Sequence, residues 1–376
     1  MSPTVPWLCA VLLAIAAAWS RLWIQPKPNQ WLINPVADFL IPCGGLVWLI
    51  LSLSVMLFPS INTSGLTLFP SIDTPGVSLF PSLHTPAVGA GQAQIITLVA
   101  GAMLFTDTHF GAGFIRTFRR QCENAMWPYW GPIFLITITA AFLAQSETIT
   151  VWACKLYLLV VVLHYAQQSL SLLLRYARIN NCAWQGGEKI LLSILVYGVA
   201  ARTLVAQLID PNLNVQEFLG LAMPGFTPLP VWAFQSCEVL VVMATVAVVA
   251  ILFKRTMIDG QSCPLPFCLL LGNVLIVFSY LGEFSGLLWV FVPAFFHGAQ
   301  SLAEAIHSNS ESAQKWQPVA MLAWSFVVGA IVMWLVPSWL HPLGVPAHLA
   351  YPAVVVAATA WHFYCEYMMS LETAAR

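Results

Sequence analysis

The chain has 376 residues, of which 59% are hydrophobic and 8% are charged, and its formal net charge is −1 at pH 7. A soluble domain carries about 25% charged residues, so this composition excludes a water-soluble globular protein and predicts a single integral-membrane domain over residues 1–376. Lys and Arg are not in excess, so no basic surface is available for nucleic acid and binding to it is not expected.

Apolar runs long enough to cross a lipid bilayer follow one another along the chain. A membrane-spanning helix needs about 20 mainly apolar residues, and the sequence contains about eleven such runs. The predicted fold is therefore all-α, a polytopic bundle of about eleven transmembrane helices. The predicted spans are residues 7–24, 38–58, 93–113, 130–146, 151–171, 189–209, 232–253, 263–282, 287–306, 318–336 and 349–369.

The basic residues predict the orientation of the bundle. With the N-terminus outside and the C-terminus inside, twelve of the 14 Lys and Arg residues fall on the cytoplasmic side and none in the outer loops. Such a bias in short loops sets the orientation of membrane proteins, so we expect a multi-pass protein of the plasma membrane. If a reaction needs electrons, a donor protein would dock on the basic cytoplasmic face. That face includes Arg116, Arg119, Arg120, Arg175 and Arg178.

A Pro-rich repeat separates the second and third predicted spans. An 11-residue motif occurs three times over residues 57–89, as LFPSINTSGLT, LFPSIDTPGVS and LFPSLHTPAVG. The proline in each copy disfavours a helix, and the small polar residues favour turns, so we predict an outer loop. His84 replaces Asn62 and Asp73 of the other copies, so we do not expect it to bind a ligand.

Ionisable residues recur in the third, fifth, ninth and eleventh spans, which are all predicted to run from outside to inside. In each of these spans they lie near the cytoplasmic end. An ionisable side chain inside a bilayer costs several kcal/mol or more, so such a group indicates a functional site. The candidate metal ligands are His109, His164, His297, His307, His362, Glu304 and Glu366.

Helical spacing gives these residues shared faces. Residues three or four positions apart lie on one face of a helix, so His362 is stacked over Glu366. Counted from the inner ends of the spans, the candidates form two tiers about 8 Å apart. The same spacing aligns His164 with Gln167 and Gln168, and His297 with Gln300, Glu304 and His307.

Imidazole and carboxylate ligands predict a transition-metal site. This ligand set suits iron, as one ion or two, although another transition metal would also fit. Asp107 and His109 are two positions apart and point about 200° away from each other on a regular helix, so we expect His109 to bind the metal. We expect Asp107, Gln167, Gln168 and Gln300 to position the metal ligands through hydrogen bonds.

Arg202 and Glu238 are predicted to lie level with each other in the outer halves of the sixth and seventh spans. One interpretation is an interhelical ion pair that offsets the burial of two charges. The other is an anchor for the anionic head of a substrate. The sequence leaves both open.

The predicted function is that of a membrane-embedded non-haem iron oxygenase or oxidoreductase. Its substrate would be a lipophilic small molecule of carotenoid, quinone or acyl-chain type, reaching the site through apolar helices. One alternative is a haem protein in which His164 and either His297 or His362 are the axial ligands. Another is a proton-coupled transporter that uses the same polar residues.

Overall fold

The computed structural model describes most of the chain. The described residues are 8–16, 31–47, 49, 101, 104–115, 127–209, 217–218, 221–225, 228–261, 264–281, 288–310 and 317–374. The 57–89 repeat with His84, and the basic residues Arg116, Arg119 and Arg120, lie outside this part. The predictions made for them stay predictions.

The described residues are mostly α-helical, which confirms the all-α prediction. The only described strands, β1 (Glu217–Phe218) and β2 (Leu221–Ala222), pair in antiparallel fashion over two residues each. The helices are α1 (8–16), α2 (Pro35–Leu40), α3 (104–115), α4 (Trp127–Leu143), α5 (Glu147–Ile179), α6 (Gly186–Ile209), α7 (Val231–Met257), α8 (Leu265–Leu281), α9 (Leu288–Ser310), α10 (Gln317–Ala330), α11 (Val336–Leu340) and α12 (Ala347–Ala374).

Four helical segments of the described chain are long and apolar enough to cross a membrane. Three of them are α5, α7 and the part of α6 from Gly186 to Ala206. The fourth, Ala320–Leu343, runs from α10 through a π-helical turn at Ile331–Leu335 into α11 and a final 3₁₀ turn. These segments agree with a membrane protein.

The second predicted span is interrupted near its start. A continuous helix was expected over residues 38–58, but α2 ends at Leu40 and a turn follows over residues 41–44. Pro42 has no N–H to continue the helix. Gly44 adopts a φ of +84°, a left-handed conformation that favours glycine.

The described chain divides into two compact units. Unit one takes its residues from Met1–Leu53, Val161–Val215 and Gly225–His307. Unit two takes them from Ser54–Val160, Gln216–Pro224 and Ser308–Arg376. Each unit therefore combines segments that are distant in sequence, so its interior depends on long-range packing.

In unit one, a buried carboxylate holds the start of α2 in place. Asp38 is fully buried and accepts hydrogen bonds from the backbone N–H groups of Leu32 and Ile33. The Tyr176 hydroxyl of α5 donates a further hydrogen bond to it, at 2.9 Å. A buried carboxylate is tolerated when such donors surround it, so this contact fixes α2 against α5.

Arg255, near the end of α7, fixes the loop between α5 and α6 in unit one. Its guanidinium donates to the carbonyl oxygens of Cys182 and Ala183 and to the Glu188 carboxylate, and it lies over the Trp184 ring. Burial raises the pKa of the Cys182 thiol, and the neighbouring guanidinium only partly opposes this shift. The thiol therefore stays protonated as a packing group.

In unit two, glycines let α3 and α10 approach backbone to backbone. A Cβ on Gly111 would overlap the Ser325 carbonyl, and one on Gly329 would overlap the Asp107 carbonyl. Small residues allow this closeness between membrane helices. Residue numbers along α10 fall as those along α3 rise, from the Asp107–Gly329 contact to the Gly111–Ser325 contact. The two helices are therefore antiparallel.

Candidate metal centre

Two helices of unit two bring three predicted ligands together. α3 continues as a helix through Gly111 and Gly113 and carries His109, while α12 carries His362 and Glu366 one turn apart. Helical side chains lean toward the preceding turn, so the Glu366 carboxylate reaches back to His362.

The atoms of these side chains that could bind a metal form a small triangle. His109 Nε2 lies 2.9 Å from His362 Nε2 and 3.9 Å from Glu366 Oε1. His362 Nε2 lies 3.3 Å from the same carboxylate oxygen. A point equidistant from all three atoms lies about 2.0 Å from each, which is the length of a metal–nitrogen or metal–oxygen bond. Three donor atoms at these separations could therefore hold a metal ion.

The two tiers predicted from the sequence do not separate these residues. His362 was placed about 8 Å from His109 and Glu366 on the basis of helical rise, whereas all three lie within 3.9 Å. The depths were counted from predicted span ends, and both helices extend past those ends. The lean of the side chains closes the remaining distance.

The site is closed on its histidine side and open on its carboxylate side. His362 is 0% exposed and His109 is 4% exposed, whereas the Glu366 side chain is 28% exposed. A dry environment strengthens electrostatic interactions with a bound cation. Exchange of water or another small ligand is therefore expected to occur beside Glu366.

Aromatic rings of α3 fix the orientation of the His362 ring. Phe110 meets it edge to face with 5.1 Å between ring centroids, and Phe114 does so at 6.5 Å. Gly113 lies beneath the imidazole, since a Cβ there would be 3.2 Å from Nδ1. Sequence reasoning missed this glycine, although it lies four positions, or one helical turn, after His109.

The Asp107 carboxylate contacts a tryptophan of unit two, and its expected role in positioning the metal ligands stays a prediction. The Trp334 indole N–H donates a hydrogen bond to its carboxylate at 3.0 Å. Trp334 lies in the π-helical turn, and such turns are frequent at functional sites. The sequence did not indicate Trp334, because a π-helical turn has no reliable sequence pattern.

The other predicted residues of this set lie in unit one, on α5 and α9. The His164 and His297 rings meet at 4.7 Å between centroids, and Tyr165 packs on His297 at 4.5 Å. Glu304 lies 3.9 Å from the Arg175 guanidinium. His307 lies half-exposed near the end of α9.

The glutamines of unit one differ in their surroundings. Gln168 is buried and donates to the His297 carbonyl and to the Ser301 hydroxyl. Gln300 is buried and accepts from the Ser169 hydroxyl at 3.2 Å. Gln167 lies on the exposed face of α5. Gln168 and Gln300 therefore join α5 to α9.

Arg202 and Glu238 form a contact between α6 and α7 in unit one. The Arg202 guanidinium donates to the Glu238 carboxylate at 3.0 Å and lies over the Phe234 ring. This geometry is that of an interhelical ion pair.

The histidine geometry does not fit a haem held between His164 and His297 or between His109 and His362. Axial ligands lie on opposite faces of a haem, so their nitrogens are about 4 Å apart, twice a metal–nitrogen bond. The nitrogens of His109 and His362 are only 2.9 Å apart. The His164 and His297 rings are in edge-to-face contact, which leaves no room for a porphyrin between them.

Comparisons with models of known protein families, with curated proteins and with solved structures found no match to this chain. Its function is therefore argued from its own residues.

Proposed function

We propose that this protein is a membrane-embedded non-haem oxidoreductase whose metal, most suitably iron, is held in unit two by His109, His362 and Glu366. The observation that supports the proposal is the triangle of two imidazole nitrogens and one carboxylate oxygen within 3.9 Å. Two histidines and one carboxylate are the ligand types of oxygen-activating non-haem iron sites. Three protein ligands leave coordination positions open for small molecules.

Each protein group has a defined part in this proposal. A bound iron ion would supply the electrons and open positions needed to activate oxygen. His109 and His362 would hold it from the dry side, with Phe110 and Phe114 keeping the His362 ring in place. Glu366 would balance part of its charge and border the accessible side. The predicted ligand roles of His164, His297, Glu304 and His307 stay predictions.

The surroundings support a substrate that dissolves in lipid. The helices of unit two expose large apolar side chains, including Phe134, Phe142, Trp152 and Leu156. These suit contact with acyl chains and sideways entry of a carotenoid, a quinone or an acyl chain. About eleven spans, an outer N-terminus and a plasma-membrane location remain part of this proposal.

An electron donor, where the reaction needs one, is proposed to dock at the cytoplasmic end of α5. Arg178 is exposed there, and Arg175 is half-exposed beside Glu304. A docking surface of this kind would make electron transfer depend on ionic strength. In unit one, Arg202 stays a proposed anchor for an anionic substrate head, although its ion pair with Glu238 explains its burial.

The first experiment is elemental analysis with an optical spectrum on the detergent-purified protein. The expected result is stoichiometric iron without a Soret band, as one ion or two. In the His109→Ala and His362→Ala variants the metal should be lost while the protein still inserts and purifies. His348→Ala is the matched control, since His348 is exposed in the same unit.

Other outcomes would change the assignment. A Soret band would identify a haem protein instead. Absence of metal after reconstitution, or full metal content in both variants, would contradict the proposed centre and favour a proton-coupled transporter.

A further inference from the structure

In the interior of unit one, a phenol and a carboxylate form a hydrogen-bonded pair, called here the Tyr176–Asp38 pair. The Tyr176 hydroxyl donates to the Asp38 carboxylate at 2.9 Å, and both side chains are fully buried. The backbone N–H groups of Leu32 and Ile33 also donate to this carboxylate. Within the described part of the chain, no Lys, Arg or His forms an ion pair with it. Among these residues, its negative charge is therefore balanced by hydrogen-bond donors and not by a cation.

Packing alone does not require this charge. A phenylalanine would fill nearly the same space as Tyr176, and a neutral asparagine in place of Asp38 would still accept hydrogen bonds from the backbone. A buried carboxylate without a cation is far more costly than a neutral group of the same shape. Asp38 also lies at the start of a predicted membrane span, where an acidic residue indicates a functional site. The pair therefore calls for a chemical role.

The pair has the parts needed for the oxidation of a tyrosine. A phenol that loses one electron becomes a strong acid, so its proton must move to a nearby base. Asp38 is such a base, since it already accepts the hydrogen bond along which the proton would move. Loss of the electron and transfer of the proton together remove the net negative charge of the pair. Because a dry interior disfavours charge, burial favours the oxidised pair and makes Tyr176 easier to oxidise than an exposed tyrosine.

We propose that Tyr176 is a redox-active tyrosine whose proton passes to Asp38. In the forward step a one-electron oxidant takes an electron from the phenol, the O–H bond breaks and Asp38 gains the proton, which leaves a neutral phenoxyl radical and a neutral carboxylic acid. The oxidant would be the oxidised iron of the proposed function, which is reduced by one electron in return. In the reverse step an electron donor reduces the radical, and Asp38 returns the proton. The use of this electron in a reaction rests on the proposed function, whereas the oxidation of Tyr176 does not.

The position of Tyr176 on α5 suits the entry of electrons. Arg175 precedes it directly and Arg178 is two positions beyond it, and these half-exposed and exposed cations belong to the docking surface proposed for an electron donor. A donor bound there would lie close to the phenol, within the same helical turn. The Cys43 thiol is another oxidisable group beside the pair. It donates to the Pro266 carbonyl oxygen at 3.6 Å and so does not compete for the carboxylate.

Photo-oxidation of the full-length protein tests the proposal. The detergent-purified protein is treated with a chelator, illuminated with a ruthenium polypyridyl sensitiser and a persulfate acceptor, and frozen for electron paramagnetic resonance. We expect a tyrosyl radical signal, which narrows in protein that contains ring-deuterated tyrosine. Because the chain has nine tyrosines, substitution assigns the signal. Tyr176→Phe should remove most of it, whereas Tyr197→Phe, which changes a half-buried tyrosine of α6 in the same unit, should leave it unchanged.

The second part of the test concerns Asp38 as the proton acceptor. Asp38→Asn still accepts hydrogen bonds but cannot take up the proton, so the yield of the radical should fall several-fold. Asp259→Asn, on an exposed acidic residue of the same unit, is the matched control and should leave the yield unchanged. If Asp38→Asn does not fold, electron–nuclear double resonance on the unaltered protein decides. It should show a proton that is hydrogen-bonded to the phenoxyl oxygen and that is lost when the protein is prepared in deuterium oxide.

Three results would overturn the proposal. They are no tyrosyl signal in the unaltered protein, an undiminished signal in Tyr176→Phe, and either an undiminished yield in folded Asp38→Asn or no hydrogen-bonded proton on the radical. Because the sample contains no metal, none of these results bears on the metal centre in unit two. Failure of that centre would instead appear as absence of metal after reconstitution.

Discussion

His362 has the most constrained surroundings of the three proposed ligands. Its Nε2 contacts His109 and Glu366, its ring meets two phenylalanines, and Gly113 lies beneath it. Such packing fixes the ring before a metal arrives, so less conformational freedom is lost on binding. The sequence placed these residues near the cytoplasmic ends of two predicted spans, but only the structure shows that the three atoms converge.

Replacing Glu366 by Gln tests the carboxylate as a ligand. The amide keeps the shape but removes the negative charge, so metal affinity should fall by about tenfold or more, or about 1.4 kcal/mol. Competition with a chelator of known affinity measures the change. Glu147→Gln, on an exposed residue of the same unit, should leave affinity unaltered, and an equal loss in both variants would contradict the proposal.

Replacing Gly113 by Ala tests the support of His362. The new methyl group would lie 3.2 Å from Nδ1, closer than an ordinary contact, and would push the ring out of line. Metal affinity should therefore fall more than stability does. Chelator competition and thermal unfolding of the same sample compare the two effects; unchanged affinity would show that the ring has room to adjust.

At the scale of elements, unit two depends on the close approach of α3 and α10. Gly111 and Gly329 permit backbone contact, and the π-helical turn that follows α10 places Trp334 on Asp107. The sequence predicted both helices from their apolar runs. It did not predict the π-helical turn, because the extra residue in the turn is specified by packing and not by local preference.

Gly111→Ala should destabilise unit two strongly, because its methyl group would overlap the backbone of Ser325. Overpacking typically costs about 1–3 kcal/mol, and here a backbone must move. Thermal unfolding in detergent measures the loss. Gly198→Ala is the control, since its Cβ would meet Val241 at an ordinary 3.5 Å; equal stability of both variants would contradict the close approach.

Trp334→Phe should remove the hydrogen bond to Asp107 and leave a buried carboxylate with one donor fewer. Losing one partner of a buried polar pair costs about 1–3 kcal/mol. The expected result is a lower unfolding temperature than that of Trp339→Phe, which changes an exposed tryptophan of α11. Equal unfolding temperatures would show that the hydrogen bond from the indole N–H to Asp107 adds no stability.

At the scale of the whole molecule, each compact unit assembles segments that are far apart in the chain. The long helix α5 contributes residues to both units, up to Val160 in unit two and from Val161 in unit one. The common direction predicted for the fifth and ninth spans stays a prediction.

Reporter fusions at the C-terminus test the proposed orientation. A fluorescent protein fused after Arg376 should fluoresce and a phosphatase fused there should be inactive, since both depend on the side of the membrane. We expect the C-terminus on the cytoplasmic side because the basic residues are biased toward that side. The opposite pair of results would contradict the proposed orientation.

The sequence alone determined that the chain is helical and apolar enough for a membrane, and it included His109, His362 and Glu366 among seven candidate ligands. It could do so because apolar runs and helical periodicity are local properties, and because buried charge is rare enough to stand out. The tertiary structure decided which residues meet: the triangle in unit two, the hydrogen bonds between α5 and α9 in unit one and the Trp334–Asp107 contact. These depend on helix rotation, on close approach at glycines and on side-chain lean, which arise from long-range packing that no local pattern encodes.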